Sequence, residues 1–376
     1  STQLPLFLGV EMPADSNARE RLTRLTADND YTPYGSGILD LHRLADQFLD
    51  TDTPLAQILA EHGEHDPASI TEQCRQEIHG IIDNAPLMTM GTRELSTHAL
   101  ALHYRLHTPD NLAGQLMDLV SSIPAAGEFS QRILEFSFGM RFGPVRDFLR
   151  EKTTAIVENP YQCEHLQELN QQAKEALVQL NQPMPPFVNN FIGVRASVDD
   201  IKMGSHSIPQ DARGHLAVHV NKPEMFVGMA QMFLPDLSEL NLLPGEPPVR
   251  LPESLIPVPG IVAYAALSDE AIGMSVGDGE QDSLPAWLDL DPGPQGMFLS
   301  VDYDMTAYLE LSRQLGHDVV EINEPESAAD DYENHPMVRI SGTLGESYKE
   351  MMDRSRTTLS FSTAGLDIET RMTFKN

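Results

Sequence analysis

Several short groupings in this chain carry residue types that could do chemistry. Glu61-His62-Gly63-Glu64-His65-Asp66 sets two imidazoles among three carboxylates. Its His-x-x-His spacing falls in a polar stretch and lacks the His-Glu-x-x-His helical signature, so a solvated loop is the expectation and no metal site is assigned. Gly277-Asp278-Gly279-Glu280 and Asp289-Leu290-Asp291-Pro292-Gly293 resemble fragments of calcium loops. Neither is followed at the required distance by a bidentate Glu, and both read as turns. Tyr34-Gly35-Ser36-Gly37 and Gly204-Ser205-His206-Ser207 place serines beside glycines, but neither is a Gly-x-Ser-x-Gly elbow with an assignable base. Phosphate-binding and dinucleotide-binding glycine loops and Cys-x-x-Cys are absent from the sequence. No catalytic residue and no cofactor is assigned.

Two apolar groupings are more promising. Phe136, Phe138, Met140 and Phe142 alternate along one predicted strand, and Met225, Met229 and Met232 recur at helical spacing with Phe226 and Phe233. Methionine-rich faces adapt to varied hydrophobic ligands, although a buried core face has the same spacing. Phe136, Phe138, Met140, Met225, Met229 and Met232 are therefore the candidate ligand-binding residues.

These groupings sit on a recurring unit. Leu100, Leu102, Tyr104 and Leu106 alternate with polar or small residues as in a half-buried strand, and Thr108-Pro109-Asp110 then opens a helix. The same grammar returns at Leu216, Val218 and Val220, followed by Lys222-Pro223-Glu224. Pro109 aligns with Pro223, Leu112 with Phe226 and Gly114 with Gly228. Looser copies begin at Gly37, Leu134 and Phe298, which suggests internal duplication. Residues 260–276 and 357–374 read as antiparallel hairpins. The expected fold is α+β: antiparallel sheet built from duplicated strand-helix and hairpin units, with helices packed on one face. Proline-rich or acidic connections at 181–186, 243–259 and 321–335 mark loops. They suggest a helical lead-in over 1–90 and a sheet-bearing body over 91–376, duplicated at approximately 91–200 and 201–376.

The 376 residues are 41% hydrophobic and 22% charged, the composition of a globular protein. Asp and Glu number 56 against 25 Lys and Arg, a formal charge of −31, and only 6 of those cations are lysine. Such a balance argues against a nucleic-acid partner, which needs clustered cations. It fits adaptation to concentrated salt, or plain solubility. The longest uncharged apolar run, Leu255 to Ser268, is about fourteen residues with two prolines, too short for a transmembrane span. Cys74 and Cys163 are the only cysteines. They read either as a disulfide closing a long loop or as two separate buried thiols.

The chain resembles a group of uncharacterised bacterial cell-envelope proteins, many with lipoprotein-type leaders. The likeness is carried by Tyr34-Gly35-Ser36-Gly37, Cys74-Arg75-Gln76-Glu77-Ile78, Tyr161-Gln162-Cys163-Glu164 and Gly228-Met229-Ala230-Gln231-Met232-Phe233. It departs from the group in showing no lipobox. The resemblance implies a periplasmic, outer-membrane-associated or extracellular location and paired cysteines, and it brings no catalytic residues. The expectation is a non-enzymatic envelope protein that binds an apolar ligand, such as a lipid or hydrophobic peptide, or a protein partner. A hydrolase with an unrecognised site and a structural subunit of a surface assembly are the alternatives.

Overall fold

The computed structural model describes residues 16–62, 69–121, 132–204, 209–233, 236–237, 240–256, 258, 260–311 and 350–375. His65, Ser205 to Ser207 and the acidic stretch 321–335 lie outside them. Helix α1 (Ser16–Asp28) leads into β1 (Ser36–Asp40), α2 (Leu41–Leu49), α3 (Pro54–Glu61) and α4 (Glu72–Ile82). The polar residues preceding these helices cap them. Asp40 accepts from the Arg43 amide, Thr53 from that of Ala56 and Thr71 from that of Cys74. Strands β2 (Leu87–Leu95) and β3 (Ala99–His107) follow, then α5 (Asp110–Met117) and β4 (Leu134–Gly139). Next come α6 (Phe142–Glu158), α7 (Gln167–Leu180), β5 (Phe191–Met203), β6 (Pro209–Val220) and α8 (Pro223–Phe233). The remainder is β7 (Val249–Arg250), β8 (Ala263–Leu267), β9 (Ala271–Val276), α9 (Leu284–Leu288), β10 (Met297–Asp304), β11 (Met352–Ser362) and β12 (Gly365–Phe374).

The fold is α+β, with all twelve strands in one antiparallel sheet of order β1-β2-β3-β12-β11-β10-β4-β5-β6-β9-β8-β7. Residue 90, the expected end of a helical lead-in, falls inside β2, and β1 pairs with β2, so both stretches build the same sheet. The alternation expected to run from Leu134 to Phe142 stops at Gly139. Beyond it the Arg141 amide bonds to the Leu119 carbonyl and Met140 bridges Val120. Phe142 then starts α6, where Pro144 falls in the first turn and its missing N–H costs nothing.

Because every neighbour in the order is antiparallel, β1, β3, β4 and β6 all point the same way. The helices that follow them, α2–α4, α5, α6–α7 and α8, therefore leave from one end of the sheet. This is the strand-then-helix unit read in the sequence at Gly37, Leu100, Leu134 and Leu216, and the copy at Phe298 is realised as well, with helix over 305–311 following β10. Helix α5 packs on β11 and β12, and α9 packs on β6, β8 and β9. Two of the helical excursions are tied together. Cys74, in the first turn of α4, pairs with Cys163, just before α7, at a Cα separation of 4.6 Å. Leu49 and Ile70 pack around the pair.

The crosslink spans 89 residues. On the chain-entropy argument, replacing both cysteines with serine is expected to lower the unfolding free energy by about 4 kcal/mol, read from urea denaturation. A thiol titration of the denatured, unreduced protein should find no free sulfhydryl; two free thiols would disprove the pairing.

Candidate functional site

Residues opposite one another in an antiparallel sheet share a face, so register and burial together define its two sides. Glu135 lies opposite Asp302 and Ser197, Ser137 opposite Ser300 and Arg195, and His215 opposite Ser197 and Ser275. All of these are buried. The alternate positions are apolar: Phe136 faces Val301 and Ala196, Phe138 faces Leu299 and Val194, and Val218 faces Ile272. All of these are only half-buried. The polar face is thus the closed one and the apolar face the open one.

The closed face survives burial by pairing its charges. Arg195 donates to the Glu135 carboxylate at 2.5 and 3.2 Å, and Arg354 to that of Asp302 at 2.7 and 3.2 Å. Trp287 of α9 lies over this cluster, with the Arg195 and Arg132 guanidinium carbons 3.7 and 4.3 Å from its ring centroid. Small residues let the cover approach. A Cβ on Gly273 would sit 2.6 Å from the Leu288 side chain, and one on Gly91 2.3 Å from the Tyr31 ring.

A hydroxyl–imidazole–carboxylate chain stands toward each side of this face. Toward the β7 edge, His215 Nε2 is 2.7 Å from Ser283 Oγ and its Nδ1 is 3.2 Å from Asp199 Oδ2. Toward the β1 edge, His103 Nδ1 meets the Tyr31 hydroxyl at 2.6 Å and its Nε2 meets Asp367 at 2.8 Å. Burial alone would raise the Asp367 carboxyl, but hydrogen bonds from His103, Ser362 and Arg105 outweigh it and hold the group at about 2.

Asp199, His215 and Glu280 bring ligand-type atoms within 4.8 Å of one another. They make a poor chelate, because Asp199 approaches Nδ1 and Glu280 approaches Nε2, at 3.6 Å, on opposite edges of one ring. In the sequence Glu280 reads as a turn residue, and neither His215, Ser283 nor Asp199 stands out. A signal was present. His103 and His107 on β3, and His215 and His219 on β6, give each of these strands a His-x-x-x-His that sets two imidazoles on its closed face.

Of the predicted apolar residues, Phe136 and Phe138 lie at the centre of the open face, and Met140 is half-buried just past the strand end. The methionine stripe is on α8, where Met225, Met232 and Phe233 are exposed, the last at 80%, while Met229 and Phe226 between them are half-buried. The stripe is carried by α8 and the phenylalanines by β4. A cavity of about 990 Å³ lies near His219 between the Pro244–Pro248 loop, the β8–β9 turn and α9. Compared with known proteins, the chain matches no family, no curated protein and no solved structure.

His219 gives this face a pH signature. Burial, with Arg195 nearby, pushes its imidazole down to about 4, so between pH 6.5 and 4 the unfolded chain takes a proton that the native state refuses. Stability should fall as pH drops through that window, by about 3 kcal/mol in total. His219→Leu should flatten this slope in urea midpoints measured from pH 7 to 4. The Asp367 contribution is lost only below pH 3.8, so the two windows separate. An unchanged slope in the variant would refute the assignment.

Proposed function

We propose that this protein binds an apolar ligand, a long acyl chain, against the open face of its sheet. One observation carries the reading. From β3 across to β9 the open face presents Leu102, Leu106, Ile368, Leu359, Val301, Phe136, Val194, Leu216 and Met274 with no charged side chain among its register positions. A sheet that has sealed its polar side and left its hydrocarbon side half-accessible is built for an apolar occupant. The −31 charge supports a monomeric ligand over docking to an anionic membrane surface, which it would repel. Paired cysteines favour an oxidising location such as the cell envelope, in keeping with the resemblance seen in the sequence.

cis-Parinaric acid, a fluorescent fatty acid, should bind saturably to the purified protein. Phe138→Asp should weaken that binding at least tenfold with an unchanged circular dichroism spectrum, whereas Phe138→Leu should retain it. Absence of saturable binding would overturn the proposal. So would a wild type that sediments as a dimer while Phe138→Asp is monomeric, since the face would then be covered by a second copy.

A hydrolytic reading has one feature in its favour, the Ser283–His215–Asp199 geometry on the opposite face, with Ser283 exposed. In it the Ser283 hydroxyl would give its proton to His215 Nε2 while Oγ attacks an ester carbon. The alcohol would then leave with that proton, and water would release the acid. Against it, the matching chain toward the other edge ends in buried Tyr31, which points to bracing. A fluorophosphonate probe should leave Ser283 unmodified if the chain is a brace; labelling abolished by His215→Ala would establish the hydrolase instead.

A further inference from the structure

The cavity beside His219 carries charge of one sign. Its volume of about 990 Å³ is that of a small-molecule site. The charged side chains that line it are Glu246, Asp269, Glu270, Asp282 and Asp289, with no lysine or arginine among them. All five are exposed, which puts them at the mouth, and none is paired with a cation among the described residues. Ala266, Leu267, Leu288 and His219 are buried and form the inner wall. His219 is only 4% exposed, yet its Nε2 has no hydrogen-bond partner, and neither has the buried Oε1 of Gln281, which also lines the cavity. Buried polar atoms of this kind call for a polar occupant. The walls are already built. Pro244 bridges Leu267, and the Gly245 amide bonds to the Leu267 carbonyl at 3.1 Å, with Gly245 at a φ of +77° that a side chain would resist. Pro247, Pro248, Pro285 and Pro292 stiffen the remainder.

We propose that this cavity binds a linear polyamine. Its carboxylates come from three separate segments: Glu246 from the proline loop, Asp269 and Glu270 from the β8–β9 turn, and Asp282 and Asp289 from either side of α9. Among the described residues, no three of them bring oxygens close enough together to share one metal ion. Charge spread around a mouth suits several ammonium groups spaced along a chain, and the methylenes between those groups match the proline and leucine walls. The amine N–H groups are donors for Gln281 Oε1 and His219 Nε2. Arg195, whose charge is felt at His219, lies outside the lining and is neutralised by Glu135. The cavity lies under α9 on the closed side of the sheet, away from the apolar face, so either proposal can fail alone.

Titration calorimetry with spermidine tests it, at about 0.15 M sodium chloride, where diffuse attraction to a surface of charge −31 is screened. One equivalent should bind saturably. The variant carrying Asp269→Asn and Asp289→Asn should bind at least tenfold more weakly. A variant carrying Glu168→Gln and Glu175→Gln on α7, the same loss of charge away from the cavity, should bind as wild type. Hexylamine, with one charge on a similar hydrocarbon, should bind at least tenfold more weakly than spermidine. No saturable equivalent, equal weakening in the two variants, or hexylamine matching spermidine would each overturn the site.

Discussion

The structure depends on the buried pairing of charge across the middle of the sheet. Glu135 and Asp302 are direct cross-strand neighbours, and two carboxylates in that position would repel strongly if each lacked its own guanidinium. Arg195 and Arg354 supply these, both nearly inaccessible to solvent. Desolvating four charged groups is costly, and removing one partner of such a pair typically costs about 3–5 kcal/mol. Strand parity then extends the arrangement. Once Glu135 faces inward, so do Ser137, Ser300, Ser197 and His215, and every alternate leucine, valine and phenylalanine must face the other way. A slip of one residue in β4 or β10 would turn Glu135 or Asp302 to the open side and set hydrocarbon among the buried charges.

Closing a polar face demands more than pairing. The cover has to come near enough to exclude water, and the sheet responds with glycines and small side chains. Gly91 admits the Tyr31 ring and Gly273 admits Leu288, while Ala217 separates Arg195 from Gly273 along the same row. The only tryptophan of the chain is spent here, offering a flat apolar lid that two guanidinium groups can stack on without losing their hydrogen bonds. Some groups remain unsatisfied among the described residues, including Ser137 Oγ, Ser300 Oγ and His219 Nε2. The closed face is therefore held by a few strong charged contacts and not by a uniformly satisfied network.

Much of this fold is legible in the sequence. The period-two runs at Leu100–Leu106, Leu134–Phe138 and Leu216–Val220 are strands, the hairpins are where the turns put them, and helices follow at Asp110 and Pro223. What alternation cannot reveal is which side of a strand is buried, because polar residues at every second position ordinarily mean solvent. Arg195 and Asp302 look like surface residues until strands distant in sequence place Glu135 and Arg354 beside them. The closed-face histidines were harder still. Their carboxylate partners, Asp199 and Asp367, come from β5 and β12, and only the repeated His-x-x-x-His hints that they belong together. The methionine stripe of α8 had two readings with identical spacing, and only its exposure separates them.

The last strand explains why the two sides of the sheet stay coupled. The C-terminal hairpin and β10 fill the gap between β3 and β4, so residues beyond 296 complete a centre whose flanks were laid down before residue 140. Asp367 on β12 holds His103 of β3, and Asp302 on β10 stands between Glu135 of β4 and Arg356 of β11. The strands on either flank, β3 and β4, would each leave an open edge without this insertion, and an unpaired edge is a site for unwanted strand addition. Inserting the hairpin removes both inner edges at once and carries the open face without a charged position from β3 to β9, through Leu299, Leu359 and Ile368 beside the hydrogen-bonded Thr357–Thr370 pair. Continuity is what a long hydrocarbon needs, since two separate patches of half the width would each bury too little of it.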